Sequence, residues 1–145
     1  MDIINIKKRY IKHLSIAKNA FDAVNEVTDK GYFTFYTPAG IIMGKIIDVE
    51  PFPFEDQSDF VDKFAQASED GKPVSVYELA AGLQDKFLDA LDKEYETKLV
   101  SDNKAIHLED VTIIDVNKNI TEINTFVLFV DQVIGIVPAK LNFNN

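Results

Sequence analysis

Residues 32–50, YFTFYTPAGIIMGKIIDVE, carry the strongest local structural instruction in this chain. In the first arm Phe33 and Phe35 point to one side while Tyr32, Thr34 and Tyr36 point to the other, the period of two that a pleated strand imposes. Aromatic and β-branched residues favour that surface. Thr37-Pro38-Ala39-Gly40 supplies turn chemistry. Pro38 presets φ, and Gly40 is suited to the left-handed position that closes a three-residue loop with a bulge. The return arm from Ile41 is long and apolar. It is interrupted at Gly44, where a missing side chain marks a sharp bend or a close backbone approach. The stretch therefore predicts a bent β-hairpin, and the rest of the chain is arranged around it.

Before the hairpin, Ile6, Tyr10, Leu14, Ala17, Phe21 and Val24 recur at spacings of three and four, which predicts an N-terminal amphipathic helix over about residues 4–28, ended by Gly31. Of the net charge of -9, this end carries the opposite sign. Residues 1–25 hold five positive charges against two negative, leaving 10 positive and 22 negative for the rest. Lys7, Lys8, Arg9 and Lys12 are the candidate nucleic-acid contacts. The same cations suit an anionic membrane surface or, with no binding role, a solvated face or pairing with the acidic body of the molecule.

After the hairpin, Pro51-Phe52-Pro53-Phe54 forbids helix and central strand alike. The two phenylalanines suit either a hook for a partner or a peg onto the chain's own core. Residues 58–67 predict a short helix, stopped by Glu69-Asp70-Gly71-Lys72-Pro73. Ser75 and Glu78 then form a capping box, and Leu79, Leu83, Phe87, Leu91 and Tyr95 make the apolar stripe of a longer helix. Residues 51–100 thus read as a helical insertion, with helices within about 55–98, in a single domain spanning 1–145.

Asp85, Asp89, Asp92 and Glu96 line the opposite face of the longer helix. Spread over about 16 Å at 1.5 Å per residue, their carboxylates cannot converge on one metal ion. They suit a solvated face or, read as a site, recognition of a basic partner, and with Phe52 and Phe54 they are the candidate partner-binding residues.

From Ala105 the period returns to two. Ile106 and Leu108, then Val111 and Ile113 after an irregularity at Glu109-Asp110, supply an inward face, and Asn117-Lys118-Asn119 is a turn. Phe126, Leu128 and Val130, with Val127 and Phe129 between them, make a strand that is apolar on both faces, and Asp131-Gln132 breaks it briefly before residues 133–137. Such a strand needs cover on both sides, from the inserted helices or from a second subunit. Phe126, Leu128, Val130, Val133, Ile134 and Ile136 are the candidate oligomer interface.

Several chemistries are unsupported. The chain has no cysteine, so disulfides and thiolate ligation are excluded, in keeping with a cytoplasmic protein. No apolar run approaches the roughly 20 residues of a membrane span. Phosphate-cradling glycine motifs and nucleophile elbows are absent. His107 beside Glu109 is expected to face outward from its strand, not to act as a base. No catalytic, cofactor or metal residue is inferred.

The order of elements, with a helix, a bent hairpin, an interruption, a third strand and a final pair joined by a tight break, resembles the Sm-like (Lsm) family of small barrels. Gly44-Lys45-Ile46-Ile47-Asp48-Val49-Glu50 is similar to the G-x-L-x-x-x-D of that family's first motif, with Glu50 in place of the aspartate, and residues 105–111 resemble its third strand. Leu128-Phe129-Val130-Asp131-Gln132-Val133-Ile134-Gly135-Ile136 is similar to the second motif, I-R-G-x-x-I/V-x-x-I. The resemblance implies a mostly β protein with helices (α+β), built on a five-stranded barrel and assembled into a ring through its last two strands. It also implies an RNA base site, but two departures fall on it. Pro51-Phe52-Pro53-Phe54 stands where the family has its stacking residue and asparagine, and Phe129-Val130 where it has arginine and glycine. The expectation is a non-enzymatic homo-oligomeric scaffold with a protein partner on the insertion, the alternative being an RNA-binding protein that uses the basic N-terminal helix.

Overall fold

The computed structural model describes residues 6–95 and 105–142. The chain divides into two compact units. Among the described residues, one is built from residues 6–47 and 105–142, the other from residues 48–95.

The larger unit begins with helix α1 (Ile6–Val24), followed by strands β1 (Tyr32–Thr37) and β2 (Gly40–Ile47). It resumes with β3 (Ala105–Asp115), β4 (Ile120–Phe129), a 3-10 turn (Val130–Gln132) and the short β5 (Gly135–Val137). The strands form one antiparallel sheet in the order β4-β3-β2-β1-β5. It is open, not closed: β4 and β5 lie at opposite edges, so the expected closed barrel is absent.

The hairpin of β1 and β2 pairs Thr37 with Gly40, which leaves a two-residue loop, Pro38-Ala39, instead of the expected three. Gly40 is required for a reason that lies outside the loop. Its φ is 145°, and a Cβ there would stand 2.2 Å from the carbonyl oxygen of Ile114 on β3. Gly44 plays the part its sequence context suggests. Met43 pairs with Thr112 and Lys45 with Glu109, so β3 carries one extra residue opposite Gly44, a bulge in which Asp110 takes a positive φ of 54°. A Cβ on Gly44 would lie 3.2 Å from the Glu109 carbonyl oxygen and 3.2 Å from Val111. The extra residue also resets the alternation, which lets Ile106 and Leu108 before it and Val111 after it all enter the core.

That core is completed by Phe33, Phe35, Ile42, Leu128, Val130, Val133 and, from the helix, Ile11. Strand β1 is covered on both faces, because Tyr32 and Thr34 are buried too. Thr34 Oγ1 donates to the Ala139 carbonyl at 2.7 Å. The Tyr32 ring lies between two ammonium groups, Lys45 at 5.0 Å and Lys140 at 4.7 Å from its centroid, and its hydroxyl donates to the Asp110 carboxylate at the bulge.

Helix α1 docks through a line the apolar pattern did not mark. Its buried residues are Ile11, Lys18 and Asp22. Lys18 Nζ meets Asp22 Oδ1 at 3.1 Å, one turn on, and Asp22 Oδ2 accepts the Gly31 N–H at 2.8 Å. That N–H holds the Asp22 carboxyl below the usual carboxylate range. Near the other end Lys7 Nζ donates to the Val133 carbonyl at 2.9 Å and the Val130 carbonyl at 3.4 Å. These polar anchors set the rotation of the helix. Of the expected apolar stripe only Leu14 packs against the core, while Ile6, Tyr10, Phe21 and Val24 are 79%, 64%, 60% and 86% exposed.

The smaller unit contains helices α2 (Gln57–Glu69) and α3 (Val76–Tyr95). Asp56 caps α2 by accepting the Asp59 N–H at 3.0 Å. Ser75 and Glu78 form the expected capping box, with Glu78 N–H donating to Ser75 Oγ at 3.2 Å. Phe52 and Phe54 are pegs: both are buried, edge-on to Phe60 at centroid distances of 6.2 and 4.9 Å. The Phe52 N–H donates to the Glu78 carbonyl at 3.0 Å, and α3 receives the strap at Gly82, where a Cβ would stand 2.4 Å from the Phe52 carbonyl oxygen. This contact turns the expected stripe outward, leaving Leu83 and Phe87 exposed. The side chains of Leu91 and Tyr95 lie outside the described residues.

Two outcomes are expected. Alanine is the better helix former than glycine by about 1 kcal/mol, yet Gly82→Ala should destabilise the helical unit, by about 1–3 kcal/mol as overpacking does. Thermal unfolding followed by far-UV circular dichroism checks the sign. Burial first, and then the Asp110 carboxylate, push the Tyr32 hydroxyl up to about 12. With the folded value above the unfolded one, its contribution to stability is complete below pH 10 and is lost as pH rises toward 12. Denaturant titrations at pH 9 and 11.5 should show a larger loss in the wild type than in Tyr32→Phe.

Candidate functional site

The four cations proposed for nucleic acid differ in what they touch. Lys7 is a strut between α1 and the 3-10 turn, where its ammonium satisfies two carbonyls that end β4 and precede β5. Lys8 is half-buried, close enough to His107 for its charge to act there, while Arg9 and Lys12 are exposed. His107 lies between the core residues Ile106 and Leu108, on the other face of β3 as expected, and is half-buried there. Burial, and then the Lys8 charge, lower its pKa, so the imidazole is neutral at pH 7. Among the described residues no three His, Cys, Asp or Glu side chains come together as a metal site.

The six interface candidates separate by depth. Leu128, Val130 and Val133 are buried, while Phe126 and Ile136 pack partly against the same core. Ile134 is exposed, and so is Phe129, which the candidate set omitted. Phe129 alternates with the buried Leu128 and Val130, so the period of two contained the signal for it. These two side chains sit at opposite edges of the sheet, Phe129 as the last residue of β4 and Ile134 immediately before β5. Neither edge has a strand partner among the described residues. An edge of this kind presents free backbone donors and acceptors, the template for adding a strand from another chain.

In the helical unit, the proline strap and α3 border an open groove of about 420 Å³. Pro51, Pro53 and the two phenylalanines form one wall, with Gly82, Asp85 and Asp89 on the other. Lys86 extends its ammonium over the Phe54 ring, 5.9 Å from the centroid. The groove joins apolar surface to two carboxylates, a combination that seats the stem and head of a cationic side chain. Of the four acidic candidates it brings Asp85 and Asp89 together. The side chain of Asp92 and the whole of Glu96 lie outside the described residues.

If Lys7 is a strut, Lys7→Gln should lower stability by about 1 kcal/mol, the worth of a partly exposed charge-assisted hydrogen bond. Arg9→Gln and Lys12→Gln should leave it within about 0.5 kcal/mol of the wild type. Urea denaturation of the three variants makes the comparison. No family model matches the chain, and no curated protein matches it.

Proposed function

We propose that the chain is a non-enzymatic, Sm-like scaffold of the cytoplasm that assembles with copies of itself through the edges of its sheet and offers its helical unit to a protein partner. The observation that carries the reading is the open sheet, with a ten-residue strand at one edge and a three-residue strand at the other. Joining β4 of one copy to β5 of the next is a heterologous contact, which repeats into a ring when the rotation closes. The helix before the sheet and the 3-10 break between β4 and β5 are further features that the resemblance leads one to expect. Membrane insertion plays no part in the reading: among the described residues no helix is long and apolar enough to cross a bilayer.

The partner would be basic, because the groove between the proline strap and α3 sets Asp85 and Asp89 beside apolar surface. RNA is the less supported ligand. One of the four cations needed for it is committed to backbone carbonyls, and Phe129-Val130 offers neither a base-reading group nor a cation.

Light scattering coupled to gel filtration tests the assembly. At tens of micromolar the wild type should run well above its protomer mass of 16.4 kDa. The double variant Phe129→Asp/Ile134→Asp should lose the edge contact and run at a smaller mass with an unchanged circular dichroism spectrum, since both side chains are already exposed. A wild type that stays at the protomer mass overturns the proposal.

A further inference from the structure

Helix α1 leaves uncovered much of the stripe that its sequence marks as apolar. From Tyr10 the stripe advances by four, three, four and three residues through Leu14, Ala17 and Phe21 to Val24, which is the seam of two heptads. Leu14 is half-buried and the other four are exposed. Together with Ile6 they offer on the order of 500 Å² of apolar surface, the size at which a patch on a protein marks a binding face.

The seam is close to palindromic. Tyr10 and Phe21 lie equally far from the midpoint between Ser15 and Ile16, and so do Leu14 and Ala17. Two copies laid antiparallel about that midpoint set Tyr10 against Phe21 at both ends and Leu14 against Ala17 twice in the middle. The alanine allows close approach of the axes where the leucine needs room. The total of about 1,000 Å² that two copies would bury reaches the lower bound for a specific interface.

Charge selects the same arrangement. The first turn of α1 has no acidic residue and the last turn no basic one. Its cations therefore gather at the positive end of its own dipole, and its C-terminal carbonyls have no cation near them on the helix. An antiparallel copy brings Arg9 toward those carbonyls, whereas a parallel copy would set the two cationic ends side by side. We infer that α1 is a docking surface for a second copy of this chain, paired antiparallel and two-fold symmetric. This contact is separate from the sheet edges and does not depend on them.

The absence of cysteine makes the test direct. Tyr10→Cys and Phe21→Cys are prepared in the full chain and oxidised mildly, each alone and then mixed in equal amounts. In the antiparallel pair Tyr10 and its own counterpart stand eleven residues apart along the axis, on the order of 16 Å, far beyond disulfide reach. Each variant alone should remain uncross-linked, and the mixture should give a covalent dimer. The double variant Tyr10→Asp/Phe21→Asp should keep its circular dichroism spectrum while its native mass falls by a factor of two. Phe129→Asp/Ile134→Asp carrying the same cysteines should still cross-link, which separates failure at α1 from failure at the sheet edges. Cross-linking within either single variant would show a parallel pair and overturn the inference. So would an absent mixed dimer with an unchanged mass, or sedimentation of the wild type with anionic phospholipid vesicles that is abolished in Tyr10→Asp/Phe21→Asp without any change in mass.

Discussion

A polar group removed from water must find a partner, and in this molecule that requirement determines how its first helix sits. Lys7 reaches two carbonyls around the 3-10 turn, Asp22 receives the Gly31 N–H, and Lys18 closes the pair on Asp22. A buried carboxylate without such partners would cost more than the burial of an isoleucine or valine contributes. The helix is therefore rotated to its polar anchors, with Ile11 between them as the apolar contact. The consequence is that Ile6, Tyr10, Phe21 and Val24 stay exposed.

Backbone proximity imposes a comparable constraint elsewhere. In the sheet, Gly40 and Gly44 allow β2 to lie close to β3, and the extra residue at Asp110 brings Val111 back into register with the core. In the helical unit, Gly82 lets the Phe52 backbone approach α3, and the two phenylalanine rings then pack against α2. In both units a missing Cβ decides which faces can be buried, and the burial of larger side chains follows from it. The groove beside Asp85 and Asp89 exists because the strap is drawn in at Gly82.

The exposed apolar surfaces are what these internal demands leave over. With Leu128, Val130 and Val133 committed to the core, the last strands leave Ile120, Phe129 and Ile134 as their exposed large apolar side chains. Two-faced apolarity in β4 thus has a divided meaning. One face builds the core, and the other leaves Phe129 exposed.

The sequence by itself determined the elements that depend on neighbours along the chain. The hairpin, the capping box at Ser75 and Glu78, the irregularity at Glu109-Asp110 and the tight break after β4 all rest on contacts within a few residues or on a period of two. Phe126, Leu128 and Val130 showed that a strand was there, and the alternation even contained Phe129 as the outward residue. Which face of each helix is buried was decided by tertiary structure alone. A stripe such as Ile6, Tyr10, Phe21 and Val24 states a preference, but the anchors that override it, the carbonyls of Val130 and Val133 and the N–H of Gly31, come from backbone whose position no helical period encodes. The same holds for Gly82, whose partner Phe52 lies thirty residues earlier, and for the open sheet, whose edges stay apart because β4 and β5 pair with β3 and β1 and not with each other.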